Sequence, residues 1–320
     1  MHTKVSLLDA LLRALALFAC AFCLGCDPAT PRVSRWTAMG TLAQLTVRGG
    51  DAAQNDALRQ TVQSTYDRLN GLLSAWDPRS ELSRLSAAHC TNWVAAASPE
   101  VRPCYAQALR LAKQSGNAFN PRMGGRLRAL GVASGGFYAD FDLGAIAKGF
   151  AVDVAAAALA RSPTPPLLLD LGGNLRVVGD GTWRTGIRNP FDRNGPFAGV
   201  IALTNGESIA TSGNYERFIT RADGTRVSHI LDGRTGEPTR GIASVTVVTP
   251  ADGGGALLAD GLSTTLFILG PQDGAAFLAR HYPRAAALWV PDTPEAPRLV
   301  ATPAFADRLI SPLWRVERLR

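Results

Sequence analysis

Phe141-Asp142-Leu143-Gly144-Ala145-Ile146-Ala147-Lys148-Gly149-Phe150-Ala151-Val152-Asp153 is the stretch on which the reading of this chain turns. Asp142 and Gly144 spell a short polar turn. The alanine-rich run behind them predicts a helix reaching about residue 161. Ile146, Phe150 and Val154 recur every four residues, which directs one apolar stripe inward. Lys148 falls near the helix start, where unpaired N–H groups and the helix dipole already favour an anion. Gly149 beside it has no Cβ and lets a ligand come close. The junction therefore reads as a phosphate site, although a lone basic residue early in a helix is usually a solvated charge.

Regular elements extend outward on both sides. Residues 37–47 alternate like a strand. Residues 51–74 form a helical pattern with Leu58, Val62, Tyr66, Leu69 and Leu73 on one side, and residues 99–116 form a second. The apolar run at 165–171, bounded by Pro and Gly, reads as a buried strand leading into the turn Gly172-Gly173-Asn174. Strands are expected at 177–179, 182–188, 199–203 and 244–249, with a hairpin pairing 218–220 and 226–230 across Ala222-Asp223-Gly224. A helix is expected at 256–269, then helix, strand and a closing strand to the end.

Three further segments carry candidate chemistry. Ala210-Thr211-Ser212-Gly213-Asn214-Tyr215 places small hydroxyl donors at a strand end, where Ser212 suits a pyrophosphate or ribose. Ser228-His229-Ile230-Leu231-Asp232 supplies an imidazole able to take a proton from a hydroxyl nucleophile. In Ala259-Asp260-Gly261-Leu262-Ser263-Thr264, Asp260 and Thr264 lie four apart, so both oxygens leave one helical face. A carboxylate with a hydroxyl suits magnesium, which takes oxygen ligands and keeps places for phosphate and water.

Together, and in this order, the four segments resemble the signatures of the FAD:protein FMN transferases, the ApbE-type flavin transferases. The resemblance covers roughly residues 34–300. It implies an α+β fold with a T-fold-like core, two lobes, and FAD in the cleft between them. It implies a transferase that moves FMN from FAD to a threonine hydroxyl of an acceptor protein and releases AMP with Mg2+. On that basis Met39 and Trp76 meet the flavin or adenine, and Ala118, Phe119 and Asn120 border it. Asp142 positions flavin or cation, and Lys148 holds FAD. Gly172 and Gly173 allow close approach, and Ser212 supplies a donor. His229 is the base, and Asp260 and Thr264 hold the metal with the carbonyls of Ala145 and Ser263. Asn120 and Arg122 depart from the family's Phe-Asp-Pro-Thr pattern at this place. The same residues would also serve an FAD pyrophosphatase yielding FMN and AMP, or a flavin-binding lipoprotein without turnover.

The start of the chain reads as an export leader. Lys4 and Arg13 flank a polar start, and an apolar run at 14–24 ends in Cys23-Leu24-Gly25-Cys26. This resembles a bacterial lipobox, with Cys23 where Leu is usual. It implies a signal peptide over 1–25, a lipid anchor on Cys26, a linker at 26–33 and the catalytic domain at 34–320. By the same resemblance the protein faces the periplasm from the inner membrane, and its acceptor is a membrane redox complex subunit or an exported reductase. Only Cys90 and Cys104 remain in the body, and an exported domain permits them to pair. With 46% hydrophobic residues the chain can bury a large core, and its net charge of +7 suits an anionic ligand or membrane. Lys and Arg are scattered without interleaved aromatics, which argues against nucleic acid.

Overall fold

The structure is a computed structural model that describes residues 30–131, 137–192, 194–214, 218–220 and 226–319. The leader, with Cys26, lies outside them, as do Tyr215 and the turn expected at 222–224.

The strands run in chain order as β1 (Arg32–Ala38), β2 (Thr41–Val47), β3 (Leu167–Leu171), β4 (Asn174–Val178), β5 (Trp183–Ile187), β6 (Gly199–Leu203) and β7 (Ser208–Gly213). They continue as β8 (Phe218–Thr220), β9 (Arg226–Ser228), β10 (Ile242–Thr249), β11 (Ala286–Pro291), β12 (Leu299–Ala301), β13 (Leu309–Ile310) and β14 (Val316–Arg318). Nine of them form one sheet in the order β1-β2-β3-β4-β7-β10-β11-β12-β14. Every neighbouring pair is antiparallel except β12 and β14. A smaller sheet, β13-β6-β5, and the hairpin β8-β9 complete the strands.

The expected single strand at 37–47 is instead the end of the first arm, the turn and the second arm of a hairpin. Met39 and Gly40 form a two-residue turn with φ of 48° and 71°. Both angles are left-handed, as a tight hairpin turn of this hand requires. The usual Asn-Gly signal is missing, and the alternation of apolar residues runs through both arms.

The large sheet is packed on both faces, which explains why all eight residues of β10 are buried. Val245, Val247, Ala287, Trp289, Leu167, Leu169 and Leu171 join one core with the helices. Val248, Ala286, Leu288, Val290 and Leu168 join a second core with Trp183, Ile201 and Leu203 of the small sheet. The side chains alternate because successive residues of a strand point to opposite faces.

The helices are α1 (Ala52–Leu73), α2 (Glu81–Ala87), α3 (Trp93–Ala96), α4 (Arg102–Gln114), α5 (Gly124–Ala129), α6 (Ala147–Leu159), α7 (Gly255–His281) and α8 (Pro303–Ala306). Asp51 caps α1 by accepting from the Gln54 N–H at 2.7 Å. α7 runs past the expected end at 269 but breaks there. Gly270 has φ 73°, and Pro271 cannot donate. The Trp289 indole donates to the Leu266 carbonyl at 3.1 Å and so satisfies a carbonyl beside the break.

Cys90 and Cys104 are both free, so the permitted disulfide is not formed. Cys104 is fully buried on α4. Burial, and after it the negative charge of Asp260, push its thiol far above the ordinary range. It behaves there as a small apolar core residue.

Candidate functional site

The site forms where the turn before α6 meets the first half of α7. The Asp142 carboxylate accepts from the Gly144 N–H at 2.7 Å and closes the turn. The Lys148 ammonium donates back to the Gly144 carbonyl at 3.0 Å and lies 3.7 Å from Oδ2 of Asp260. Gly149 donates its N–H to the same Oδ2 at 2.9 Å. Burial raises the Asp260 carboxyl above the usual carboxylate range, against the opposing pull of Lys148 and the Gly149 N–H.

One turn further along α7, Thr264 and Ser263 meet β7. The Ser212 hydroxyl lies 2.7 Å from that of Ser263 and 3.1 Å from that of Thr264. Ser263 also donates to the Asp260 carbonyl at 2.8 Å. Asp260, Ser263, Thr264 and Ser212 therefore stand together, and Lys148 links Asp260 to the Gly144 carbonyl of the turn.

Two hydrogen bonds draw in the neighbouring segments. Asp142 donates its N–H to the Pro121 carbonyl at 2.7 Å, and Gly233 donates to the Ala118 carbonyl at 2.9 Å. Residues 118–121 thus lie between the 142–144 turn and the segment after His229, which is half-buried. Ala118 and Phe119 are buried, and their backbone groups are engaged: Ala118 donates to the Ser115 carbonyl, and Phe119 donates to the Ser115 hydroxyl. They form the floor of this segment. Asn120 is half-buried, and its side-chain oxygen accepts from the Arg122 N–H at 2.9 Å, so an amide closes the same kind of turn that an Asp would.

Met39 is half-buried at its hairpin turn. Gly172 donates to the Leu42 carbonyl at 2.9 Å, which sets the 172–173 turn beside that hairpin. A Cβ at Gly172 would come 2.6 Å from the Thr41 hydroxyl, whereas Gly173 faces open space. Trp76 is 49% exposed, and its ring meets Tyr138 edge-on at 4.6 Å between centroids. A large ring so exposed and so braced has a face free for stacking.

One expectation changes its cause. Gly149 does not leave room for a ligand. A Cβ there would overlap the Ala256 carbonyl oxygen and lie 2.7 Å from Asp260 Cβ. The glycine is needed because two helices touch backbone to backbone. The Asp153 carboxylate closes the quoted motif and has no role that the sequence alone assigns. Its oxygens accept from the N–H groups of Ala256 and Leu257 at 2.9 and 2.8 Å, and from Arg176 at 2.6 Å. Only its place five residues after Lys148 hinted at this.

The donor set suits a hard divalent cation. Among the described residues no three His, Cys, Asp or Glu side chains gather. A cation here would rest on one carboxylate, hydroxyls and turn carbonyls, the ligand class of magnesium rather than zinc. The Lys148 ammonium already brings positive charge between the Asp260 carboxylate and a turn carbonyl, which is where such a cation would be favoured.

An α+β scaffold whose two helices meet at a junction lined by oxygens and one ammonium has the groups that suit a phosphate ester. More narrowly, the chain belongs to the ApbE family, whose model matches residues 39–139 and 136–289. It is 30% identical to an FAD:protein FMN transferase of Rhodobacter capsulatus over 308 residues, covering 84% of this chain and 57% of that one. A Klebsiella pneumoniae relative of the same name is 30% identical over 312 residues, covering 81% of this chain and 87% of that one. The crystal structure of the ApbE protein from Thermotoga maritima superposes with a TM-score of 0.72 at 25% identity, over 87% of this chain and 99% of that chain. The fold is also shared with the flavin transferase ApbE of Vibrio cholerae, at a TM-score of 0.69 and 23% identity over 88% of this chain and 100% of that one.

Proposed function

We infer that this protein is an FAD:protein FMN transferase, which moves FMN from FAD to a threonine hydroxyl of an acceptor protein and releases AMP. Family membership and the shared name of its relatives support the reaction class. The observation that carries the site is the buried Asp260 carboxylate facing Lys148, which also donates to the Gly144 carbonyl, with the Thr264 hydroxyl one turn on.

The acceptor oxygen attacks the FMN-side phosphorus. Its bond to that phosphorus forms as the bond from phosphorus to the bridging oxygen breaks, and AMP leaves with the bridging oxygen. His229 is the candidate base for the hydroxyl proton. Lys148 gives positive charge to the diphosphate, and the Asp142 turn orients it. Trp76 and Met39 border the ring system. Mg2+, held by Asp260, Thr264 and the carbonyls of Ala145 and Ser263, would neutralise charge on the diphosphate oxygens. The leader motif supports a lipid anchor on Cys26, which would put the enzyme on the periplasmic side of the inner membrane. There it would meet a membrane redox complex subunit or an exported reductase.

Incubating the protein with FAD, Mg2+ and a threonine-bearing acceptor fragment, followed by mass spectrometry, tests the reading. The expected product is acceptor carrying one covalent FMN, with AMP in equal amount. Free FMN and AMP with unmodified acceptor would mean a pyrophosphatase, and intact FAD would mean a carrier.

A further inference from the structure

We propose that Asp153 is a positioning residue that fixes the register of α7 against α6, and so sets where Asp260 and Thr264 stand. The proposal rests on the functional reading above and adds a residue to it.

The contact between the two helices is tied twice, in opposite directions. From α6 to α7, the Gly149 N–H donates to the Asp260 carboxylate at 2.9 Å. From α7 to α6, the Ala256 and Leu257 N–H groups donate to the Asp153 carboxylate at 2.9 and 2.8 Å. Residues 149 and 153 are one turn apart on α6, and 256 and 260 are one turn apart on α7. The two ties therefore lie side by side along one seam. Two parallel ties block both sliding and rotation, which a single tie would allow.

Nothing in α7 itself replaces the second tie. The residue before the helix is Gly254, with φ 104° and no capping side chain. Helix starts normally draw their cap from the preceding Ser, Thr, Asp or Asn. Here the cap comes from another helix, so capping α7 and docking it are one event. Arg176 holds the carboxylate in place at 2.6 Å. Both groups border a cavity of about 560 Å³ whose lining does not include Asp260. The glycine at 149 closes the seam, since any Cβ there would strike the Ala256 carbonyl. Groups that orient a metal's ligands without touching the metal typically change its affinity by about 10–100-fold when removed.

The test uses the purified protein with FAD, and Mn2+ as a spectroscopic probe for the divalent ion. Free Mn2+ is followed by electron paramagnetic resonance, with Asp153→Asn and Asp260→Ala compared to the parent. The amide of Asn cannot accept from all three donors, so the clamp loosens while the shape is kept. The expected result is an Asp153→Asn protein with the parent's circular dichroism and an apparent Mn2+ dissociation constant about tenfold higher. Affinity within twofold of the parent overturns the proposal. If Asp153→Asn fails to fold, hydrogen exchange in the parent decides. Ion binding must then slow exchange at Ala256 and Leu257, because coupling between two sites is reciprocal. Unchanged exchange there overturns the clamp. The two possible failures are distinct. If the parent binds no Mn2+, or Asp260→Ala binds as the parent does, the metal reading falls and the clamp falls with it. If Asp260→Ala loses the ion while Asp153→Asn keeps it, the clamp alone falls.

Discussion

Single residues carry most of the chemistry. Asp260 is 4% exposed; burial raises its carboxyl, and Lys148 and the Gly149 N–H pull the other way. Replacing it with Ala removes the one carboxylate in the donor set. Flavin transfer should fall by about 10²–10³, the scale of losing a charge-stabilising group in such a site. Steady-state rates with FAD and acceptor measure this, and a loss below tenfold would contradict the assignment. Gly149→Ala should act through packing. Its new methyl meets backbone, which cannot yield as a flexible side chain does. A cost of roughly 1–3 kcal/mol is expected from overpacking, read as a shift of the urea midpoint together with weaker activity. Lys148, Asp260 and Thr264 were legible in the sequence only through the ordered family segments that contain them, since a lysine early in a helix, or an Asp and a Thr four apart, says little alone. The reason for Gly149 was not, because a glycine records only that something comes close and not what.

At the scale of elements, short-range signals were legible and long-range ones were not. The buried stripe of α1 and the continuous apolar run of β3 each lie within one stretch of chain. The Met39–Gly40 turn was hidden because both hairpin arms share one alternation. The pairing of β4 with β7, across β5 and β6, depends on which face each strand buries rather than on any local motif. The loop into β7 offers a test of how the two sheets are joined. Glu207 accepts from Arg308 at 2.8 and 2.9 Å and from the Thr204 N–H at 2.8 Å. Burial alone would raise its carboxyl, but the Arg308 and Thr204 hydrogen bonds outweigh burial and hold it below the ordinary value. A carboxylate lowered on folding stabilises the fold above its unfolded value, and that contribution is lost as pH falls through the folded one. Stability should therefore drop on acidification below the ordinary Glu range. Glu207→Gln should cost roughly 1–3 kcal/mol at neutral pH and flatten that acid slope. Denaturant midpoints from neutral to acid pH give the comparison, and parallel curves for the two proteins would contradict it.

For the whole molecule, the sheet with cores on both faces is a frame that brings distant segments to one junction. The 118–121 loop, the 142–148 turn and helix start, β7 and α7 are far apart in sequence and meet through hydrogen bonds of 2.7–3.1 Å. Because Cys90 and Cys104 are free, this frame needs no covalent staple. Adding a reductant should leave the thermal midpoint unchanged, and a marked drop would show a bridge that the structure does not contain. The family resemblance was readable because four short segments kept their order, even though each alone says little. The central claim is that the α6–α7 junction holds a divalent ion and the diphosphate of FAD. A crystal grown with FAD and Mn2+ tests it through the anomalous signal of the metal. The peak should lie within coordination distance of the Asp260 and Thr264 oxygens, beside the 142–145 turn. A peak elsewhere, with FAD bound and those oxygens turned away from it, would contradict the account.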